Sequence, residues 1–480
     1  MKVALPAVLC LAYGFALVRL CLPRRMPLAG RLLLEVSLSV GCGLGIFSVI
    51  FFIERVVGVN KLTLADIGIL AALLAGLSIK LFRQAKGDQS PLKPWTEERQ
   101  EPVRLPIVAI AGFAIVLCAA GYSAVARVLA YPHGGWDAFA IWNLRARFLL
   151  SGGYCWRNAF SALIPRSHPD YPLLLPAATA HFWAFLGYDN PGVPAVIGVV
   201  FTFATAGMLF AALWMIRGIT NALLGTTALL ATPFFVEQGT TQCADVPLGL
   251  FLLSGLVLLC LHDEMPGRSL GLPALAGIVT GFAAWTKNEG LLLLCVVIAA
   301  RLPTCVRLRG LPRSDAQSIT RKDWTATGAL LVGMAPAVLL MVCFKRFFAG
   351  PGEYFSDSGA MLHKLLMPAR YLTVLRWYGK DFFRFGHWTV VPGSLLLLVI
   401  CLMAQKNEAI SRQSGFQTSV VALTLMAVGY FVIYLITPLD LEWHLRFSLD
   451  RLFLQLWPSI IFLVFVRSSI PAKLPAVGLS

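Results

Sequence analysis

An acid beside two glycines stands where an apolar helix gives out, in Pro132-His-Gly-Gly-Trp-Asp-Ala-Phe-Ala-Ile-Trp-Asn143, and a second polar stretch, His168-Pro-Asp-Tyr-Pro-Leu173, follows it. Ionisable side chains are expensive at a membrane boundary, so Asp137 is the first candidate for chemistry. A carboxylate there can act as a general base if a hydroxyl from the aqueous side comes within hydrogen-bond reach. The plainer alternatives are a helix cap or a salt bridge to Arg145 or Arg147.

Further polar constellations interrupt the apolar chain. In Gln242-Cys-Ala-Asp-Val-Pro-Leu248, Asp245 precedes Pro247 and an apolar run, a spacing that suits either a second site acid or a capping acid before a helix-opening proline. Trp285-Thr-Lys-Asn-Glu-Gly290 is a charged break between two short apolar runs. Lys287 is a compact cation suited to a phosphate, Glu289 could pair with it, and a solvated turn is the alternative. Before the last span, Asp440-Leu-Glu-Trp-His-Leu-Arg-Phe-Ser-Leu-Asp-Arg451 offers His444, Arg446 and Arg451 as a grip on phosphate, or as snorkelling anchors.

The elements that must position these groups are membrane helices. The chain is 58% hydrophobic and 13% charged, with a mean hydropathy of +0.75, which describes repeated apolar spans rather than a soluble core. The alternation of a membrane barrel is missing, and apolar runs near the roughly 20 residues that a helical span needs recur throughout. The expectation is an all-α polytopic protein with about 13 spans. They fall near 3–22, 32–54, 65–82, 105–130, 192–215, 221–236, 246–262, 271–285, 289–302, 326–344, 388–404, 418–437 and 451–467. The first run is long, ends in Arg24-Arg25 and has no small-residue cleavage site, so it reads as a retained span. Cys155 and Cys243, in candidate outer loops, read as unpaired small hydrophobes. The segment 172–188 contains Pro176 and His181 and suits a re-entrant or interfacial position.

Charge then orients the spans. If 172–188 does not cross, Arg24, Arg25, Arg31, Arg217, Arg268 and the six basic residues of Arg301–Lys322 fall on one side, the cytoplasmic one by the positive-inside rule. The same choice gathers the 131–171 loop, Asp245, Thr286–Glu289 and Asp440–Arg451 on the opposite face. The long outer loop 345–387 breaks the rule with Lys345, Arg346, Lys364, Arg370, Arg376, Lys380 and Arg384. The stretch 83–104, with Pro91, Pro94 and mixed charges, reads as a cytoplasmic linker. It divides the chain into accessory spans at 1–104, a core at 105–302 with the outer loop 131–171, and C-terminal spans at 303–480 with outer loops 345–387 and 438–451. After Asp137, a stripe of Phe139, Trp142, Ala146, Leu149 and Leu150 recurs at helical spacing, with Asn143 and Arg147 beside it and Asp137 opposite, as for a helix lying in the membrane interface.

No glycine-rich nucleotide loop, HExxH or paired CxxC is present, so a soluble nucleotide donor in a Rossmann-type site is not expected, nor is nucleic acid. With a net charge of +16 and acids confined to a few positions, an anionic lipid is the more natural ligand.

These residues resemble a family. Asp137 in a loop after a span, then Trp142, Ala146, Leu150, Gly153 and Asp170-Tyr-Pro-Leu-Leu-Leu-Pro176, are similar to the signature of GT-C glycosyltransferases, in the branch of protein O-mannosyltransferases and lipid A aminoarabinose transferases. Asp245-Val-Pro-Leu, Thr286-Lys-Asn-Glu-Gly and His444 to Pro458 fit later landmarks of that architecture. The resemblance covers 131–300 and, with less specific motifs, 440–458. It implies a GT-C-like fold with an outer interfacial-helix loop. The implied enzyme sits in a membrane such as the bacterial inner membrane and faces away from the cytoplasm. It would move a sugar from a polyprenyl-phosphate donor to a glycan, lipid or protein acceptor, with inversion at the anomeric carbon. Asp137 matches the acid that activates the acceptor and Asp245 a second acid near the site. Lys287 and Arg451 match phosphate contacts by position, and Trp142, Asp170, Tyr171, Glu289, His444 and Arg446 are candidate substrate contacts. The sequence departs from many relatives in having Ala138 where a second acid stands and Asp170-Tyr-Pro-Leu where Lys-Pro-Pro-Leu stands, which bears on acceptor and carrier recognition.

No cofactor is expected. Asp137, Asp245 or Glu289 could offer oxygen ligands to a divalent ion, as some members of the class require, but no diagnostic metal spacing is present. A transporter or flippase of a lipid-linked or anionic substrate is the alternative, since Glu35 and Lys80 are isolated charges within spans. Against it, only one clear helix break, at Thr286–Glu289, is visible where a transporter's repeated halves would carry two. An inactive scaffold of the same fold is a third reading.

Overall fold

The computed structural model describes residues 4–23, 26, 28–58, 64–87, 107–151, 153–265, 269–307, 313–352, 358–389 and 392–469. Most of the 83–104 linker lies outside the described residues, as do Arg24, Arg25 and Arg268 of the basic loops.

In chain order the helices are α1 (Ala4–Cys21), α2 (Leu28–Val57), α3 (Leu64–Gly87), α4 (Ile107–Ala130), α5 (Asn143–Ser151), α6 (Leu174–Leu186), α7 (Gly192–Arg217), α8 (Ile219–Leu230), α9 (Pro233–Thr240) and α10 (Asp245–Glu264). They continue with α11 (Gly271–Thr286), α12 (Asn288–Arg307), α13 (Arg313–Phe347), α14 (Ser358–Leu365), α15 (Pro368–Arg384), α16 (Gly393–Met403), α17 (Glu408–Ser411), α18 (Ser414–Ile436) and α19 (Leu441–Arg467). A two-residue antiparallel pairing joins β1 (Gln405–Lys406) to β2 (Ser468–Ser469). The protein is an all-α, multi-pass membrane protein.

Among the described residues 8 helices are long and apolar enough to cross a bilayer: α1, α2, α4, α7, α10, α13, α18 and α19. The bent pair α8 and α9 makes a ninth if it is one span, with an angle of 65° at a break that Pro233 enforces by opening the second helix. The other expected spans correspond to α3, α11, α12 and α16. Of these, α11 and α16 are short, because an apolar run and a crossing helix are different lengths of structure. The 16 residues of α11 rise about 24 Å, less than a hydrocarbon core of about 30 Å. In α6, 13 residues rise about 20 Å, also less than that core, and all but Ala184 and Phe185 are buried.

The core is centred on α10, whose span is wholly buried and packs against α7, α11, α18 and α19. On another side α2, placed by composition in the N-terminal block, packs against α1, α6 and α7. Lipid gives helices no hydrophobic drive to associate, so close backbone approach supplies the attraction and small residues mark where it occurs. At the crossing of α11 and α13 the approach is reciprocal: a Cβ on Gly277 would lie 2.1 Å from the Leu330 carbonyl, and one on Gly333 would lie 2.0 Å from the Ala274 carbonyl. Both obstacles are backbone and cannot rotate away. Gly277→Val should therefore cost about 1–3 kcal/mol or more, read as a lower thermal midpoint of the purified protein in detergent; an unchanged midpoint contradicts this packing.

Several charges that look unexplained in the sequence are locally satisfied. Glu35, buried in α2, pairs with Arg19 at 2.9 Å and Arg31 at 2.7 Å. Lys80 donates to the carbonyls of Arg19, Leu20 and Leu22 at 2.7–2.8 Å and so caps the end of α1. In the basic loop 345–387, Lys364 donates to the Thr437 carbonyl and Arg370 to those of Tyr434 and Leu435, covering the end of α18. Part of the basic excess is thus helix capping.

The stripe after Asp137 is corrected in phase. Residues Ala138–Trp142 form a π-helical turn before α5, and the buried residues are Ala138, Ile141, Trp142, Asn143, Arg145, Ala146 and Leu149, while Phe139 is 62% exposed. A wider turn admits an extra residue, which rotates everything before it relative to a regular 3.6-residue repeat. The expected stripe fails at Phe139 for that reason.

Candidate active site

Two loops first clasp each other. Gly134 has φ +72°, a conformation suited to glycine, and a Cβ there would lie 2.6 Å from the Thr241 carbonyl. The Gly135 amide donates to that same carbonyl at 3.0 Å, Gln242 Nε2 donates to the Pro132 carbonyl at 2.9 Å, and Asn143 Nδ2 donates to Gln242 Oε1 at 2.8 Å. This clasp brings the turn carrying Asp137 against the start of α10, where Asp245 occupies the first helical position. Asp245 is not a capping acid: its side chain turns to groups from other helices, although its charge still suits the helix N-terminus.

Those groups meet at one point. Arg451, on α19, donates through Nε to Asp245 Oδ2 at 2.8 Å and through Nη1 to Asp137 Oδ2 at 2.5 Å. Asp245 Oδ1 accepts from Lys287 Nζ at 3.1 Å and from Gln455 Nε2 at 2.7 Å. Lys287 also pairs with Glu289 at 2.8 Å, and Gln455 Oε1 accepts from the Tyr430 hydroxyl at 2.6 Å. Lys287 adopts an extended conformation in the break between α11 and α12, so its side chain leaves the helix axis and enters the cluster. The break is tight, since a Cβ on Gly290 would stand 1.8 Å from the Ala283 carbonyl. It is not a solvated turn: Thr286 is fully buried and Lys287 is 7% exposed.

The two acids differ in access. The Asp137 side chain is 24% exposed and that of Arg451 20%, whereas Asp245 is 1% exposed. An incoming molecule can reach Asp137 and one edge of the guanidinium, while Asp245 holds the cations from behind. Neither helical neighbour of Asp137 is its partner: Arg147 pairs with Asp189 at 2.8 Å, and Arg145 is buried, donating to the Pro172 carbonyl at 3.4 Å with its guanidinium 5.5 Å from the Phe160 ring. Burial pulls the Arg145 guanidinium down to about 9.

The remaining expected residues are placed as follows. Asp170 accepts from Asn288 Nδ2 at 2.6 Å and lies 3.7 Å from Lys345, which also donates to Asn288 Oδ1 at 2.9 Å. Because Asn288 follows Lys287 in the chain, this second group adjoins the first. Tyr171 stacks on His168 at 4.6 Å and lies 5.8 Å from the Trp142 ring, but Trp142 is 2% exposed and serves as packing beside a small cavity lined in part by Asn143, Gln242 and Cys243. His444 lies 4.8 Å from the Tyr434 ring and within electrostatic reach of Lys287 and His168. Arg446 is exposed, with its guanidinium 5.7 Å from the Phe447 ring, and touches none of these acids among the described residues. Gln455, Gln242, Asn143 and Lys345 are the members that sequence reasoning missed. Gln455 had a usable signal, a polar residue within an apolar span one helical turn after Arg451.

Divalent-ion binding does not fit here. Asp137 Oδ2 and both Asp245 oxygens already accept from Arg451, Lys287 or Gln455, Glu289 Oε1 pairs with Lys287 while its Oε2 is buried without a hydrogen bond, and no three ligand atoms converge at this point among the described residues.

A second ionic group lies one residue along α19. Asp450 is 3.9 Å from His387, which is 3.5 Å from Glu237, itself paired with Arg127 at 2.9 Å. Asp381 on α15 approaches Asp450 closely enough to share a proton, and burial, first, with this neighbouring acid pushes the Asp381 carboxyl up to about 8. A carboxyl raised in the folded state binds its proton more tightly there than in the unfolded chain. That contribution is complete below the unfolded value near 4 and is lost as pH rises through about 8. The thermal midpoint should therefore fall between pH 5 and 9, and Asp381→Asn should flatten the dependence. An equally steep profile in the variant would contradict proton sharing.

No family model, curated protein or solved structure matches this chain, so the functional reading rests on the ionic cluster joining Asp137, Asp245, Lys287, Glu289 and Arg451.

Proposed function

We propose that the protein is a glycosyltransferase of the GT-C type, with about 13 membrane segments, that moves a sugar from a polyprenyl-phosphate donor to an acceptor hydroxyl at the extracytoplasmic face of a membrane such as the bacterial inner membrane. The carrying observation is the convergence of an accessible carboxylate, Asp137, with a cation pair, Lys287 and Arg451, both anchored on the buried Asp245.

In the cluster each cation is matched by an acid, so a phosphate binds by displacing one of them. Arg451 is the natural switch, because its Nη1 edge contacts Asp137 while Nε and Nη2 stay on Asp245. When the donor phosphate takes the Nη1 edge, the Asp137 carboxylate is released to accept the proton of the acceptor hydroxyl. The acceptor oxygen then bonds to the anomeric carbon as the bond from that carbon to the phosphate oxygen breaks. The sugar inverts and polyprenyl phosphate leaves with the electron pair. Lys287 and Arg451 stabilise the charge growing on the departing phosphate. Asp245 acts as a positioning residue, and Glu289 steadies Lys287. Acceptors in this reading are a glycan, a lipid or a protein.

The test is transfer by the purified protein in lipid vesicles supplied with polyprenyl-phosphate sugars, read as release of free polyprenyl phosphate. Release by the wild type and its loss in Asp137→Asn at equal membrane abundance is the expected result. Undiminished release by the variant rejects Asp137 as the base.

A further inference from the structure

A separate set of buried ionisable groups, unused by the transfer chemistry, joins three helices. Glu54 lies near the end of α2, Asp66 in the first turn of α3 and His181 midway along α6, and their exposures are 7%, 0% and 2%. One ligand atom from each lies within 4.8 Å of the others. Two carboxylates and an imidazole gathered in one buried place form a setting that a cation stabilises. Arg55 supplies some positive charge: it follows Glu54 and stacks over the Phe51 ring at 4.7 Å.

His181 is the observation that points to a further ligand. Its Nδ1 lies 3.0 Å from the Phe47 carbonyl, an atom that can only accept, so Nδ1 carries the proton and Nε2 presents a lone pair. Nε2 is buried without a hydrogen-bond partner and faces Asp66 Oδ2 at 4.0 Å, which also only accepts when ionised. Two acceptors confronting each other inside a protein require a proton or a metal between them. The ring is held in place by Phe47, stacked at 3.7 Å, and Phe51 at 5.1 Å. Asp66 is oriented as well, because the Tyr13 hydroxyl contacts its Oδ1 at 3.0 Å and its backbone carbonyl at 2.9 Å, leaving Oδ2 toward the histidine. A histidine fixed by a backbone carbonyl and a carboxylate fixed by a hydroxyl are the outer-shell arrangement typical of metal ligands.

We propose that Glu54, Asp66 and His181 bind a divalent transition metal of the zinc class, with a fourth position for water. Imidazole disfavours magnesium and calcium, and zinc accepts mixed nitrogen and oxygen ligands without a strong geometric demand. Ligand atoms bound to one ion at about 2.0–2.2 Å lie roughly 3.5 Å apart, so the three groups draw together when the ion enters. The role is structural. The ion ties α3 and α6 to the end of α2, and α2 in turn supports the active-site hairpin, since Trp285 Nε1 donates to Ser48 Oγ at 3.1 Å and Phe52 lies 5.4 Å from the Trp285 ring.

The experiment is elemental analysis of the full-length protein purified through a tag that binds no metal, with and without incubation in zinc, followed by thermal unfolding with and without chelator. The expected result is about one zinc per chain, at least about tenfold less in His181→Gln, and a midpoint that chelator lowers in the wild type alone. Tyr13→Phe removes only the orienting hydroxyl, so it should fold and weaken zinc binding about 10–100-fold, which keeps the test open if His181→Gln does not fold. Wild-type protein that holds no metal after incubation overturns the proposal, as does full retention of zinc by both variants.

Discussion

Asp137→Asn should lower sugar transfer about 10²–10⁴-fold, the usual contribution of a positioned general base, with little change in protein yield or thermal midpoint. The amide is the same shape and still accepts a hydrogen bond from Arg451 Nη1 through its oxygen, so the clasp between the 132–135 and 241–242 loops survives. What is lost is the ability to take a proton. Donor binding should persist, because the cations that meet the phosphate remain and Arg451 then shares its charge with Asp245 alone. The combination is diagnostic: retained or tighter binding of polyprenyl phosphate alongside lost turnover separates a base from a structural acid. If binding and turnover fell together with the midpoint, Asp137 would be a structural partner of Arg451 and the mechanism would need another base.

Asp245→Ala should be the most destabilising single change in the site, by about 3–5 kcal/mol, because it takes the shared acid away from the buried Lys287 and the half-buried Arg451. Arg451 would keep Asp137 and Lys287 would keep Glu289, but both of these acids are partly exposed while Asp245 is not. Gln455 Nε2 would also lose its acceptor. The check is the thermal midpoint in detergent, together with that of Asp245→Asn/Lys287→Met, in which one cation leaves with the acid. If the cost lies in stranded charge, the double variant recovers part of the loss despite carrying one more substitution. If it lies in packing around the start of α10, the double variant is no better. An unaltered midpoint in Asp245→Ala would remove the residue from its anchoring role.

Among the four acids in the core polar stretches, the fold distributes work by depth. Asp137 faces the entrance and Asp245 the interior, although the sequence presents both as acids near the start of an apolar helix. Asp170 and Glu289 each pair with a lysine at the flank. The transport alternative drew on Glu35 and Lys80, and these now have local duties, the first within α1–α2 packing and the second on the end of α1. They no longer call for a translocation pathway.

By itself the sequence determined that this is a multi-pass helical membrane protein and which polar stretches to inspect. The reason is energetic: apolar runs of span length have few other fates, and an ionic group beside them is too costly to be incidental. Only the tertiary structure decided who pairs with whom. Arg451 reaches Asp137 from 314 residues away, and the many acids and bases of the chain allow numerous pairings that charge alone cannot rank. Helix packing ranks them, through contacts such as Gly277 against Leu330 that no periodicity announces. The π turn at Ala138–Trp142 was hidden for a related reason, since a regular helical repeat assumes the very geometry that this turn abandons. Glu54 and Asp66 escaped notice, and His181 was read only as a mark of a segment that does not cross, because the three lie in different segments and only the fold brings them together.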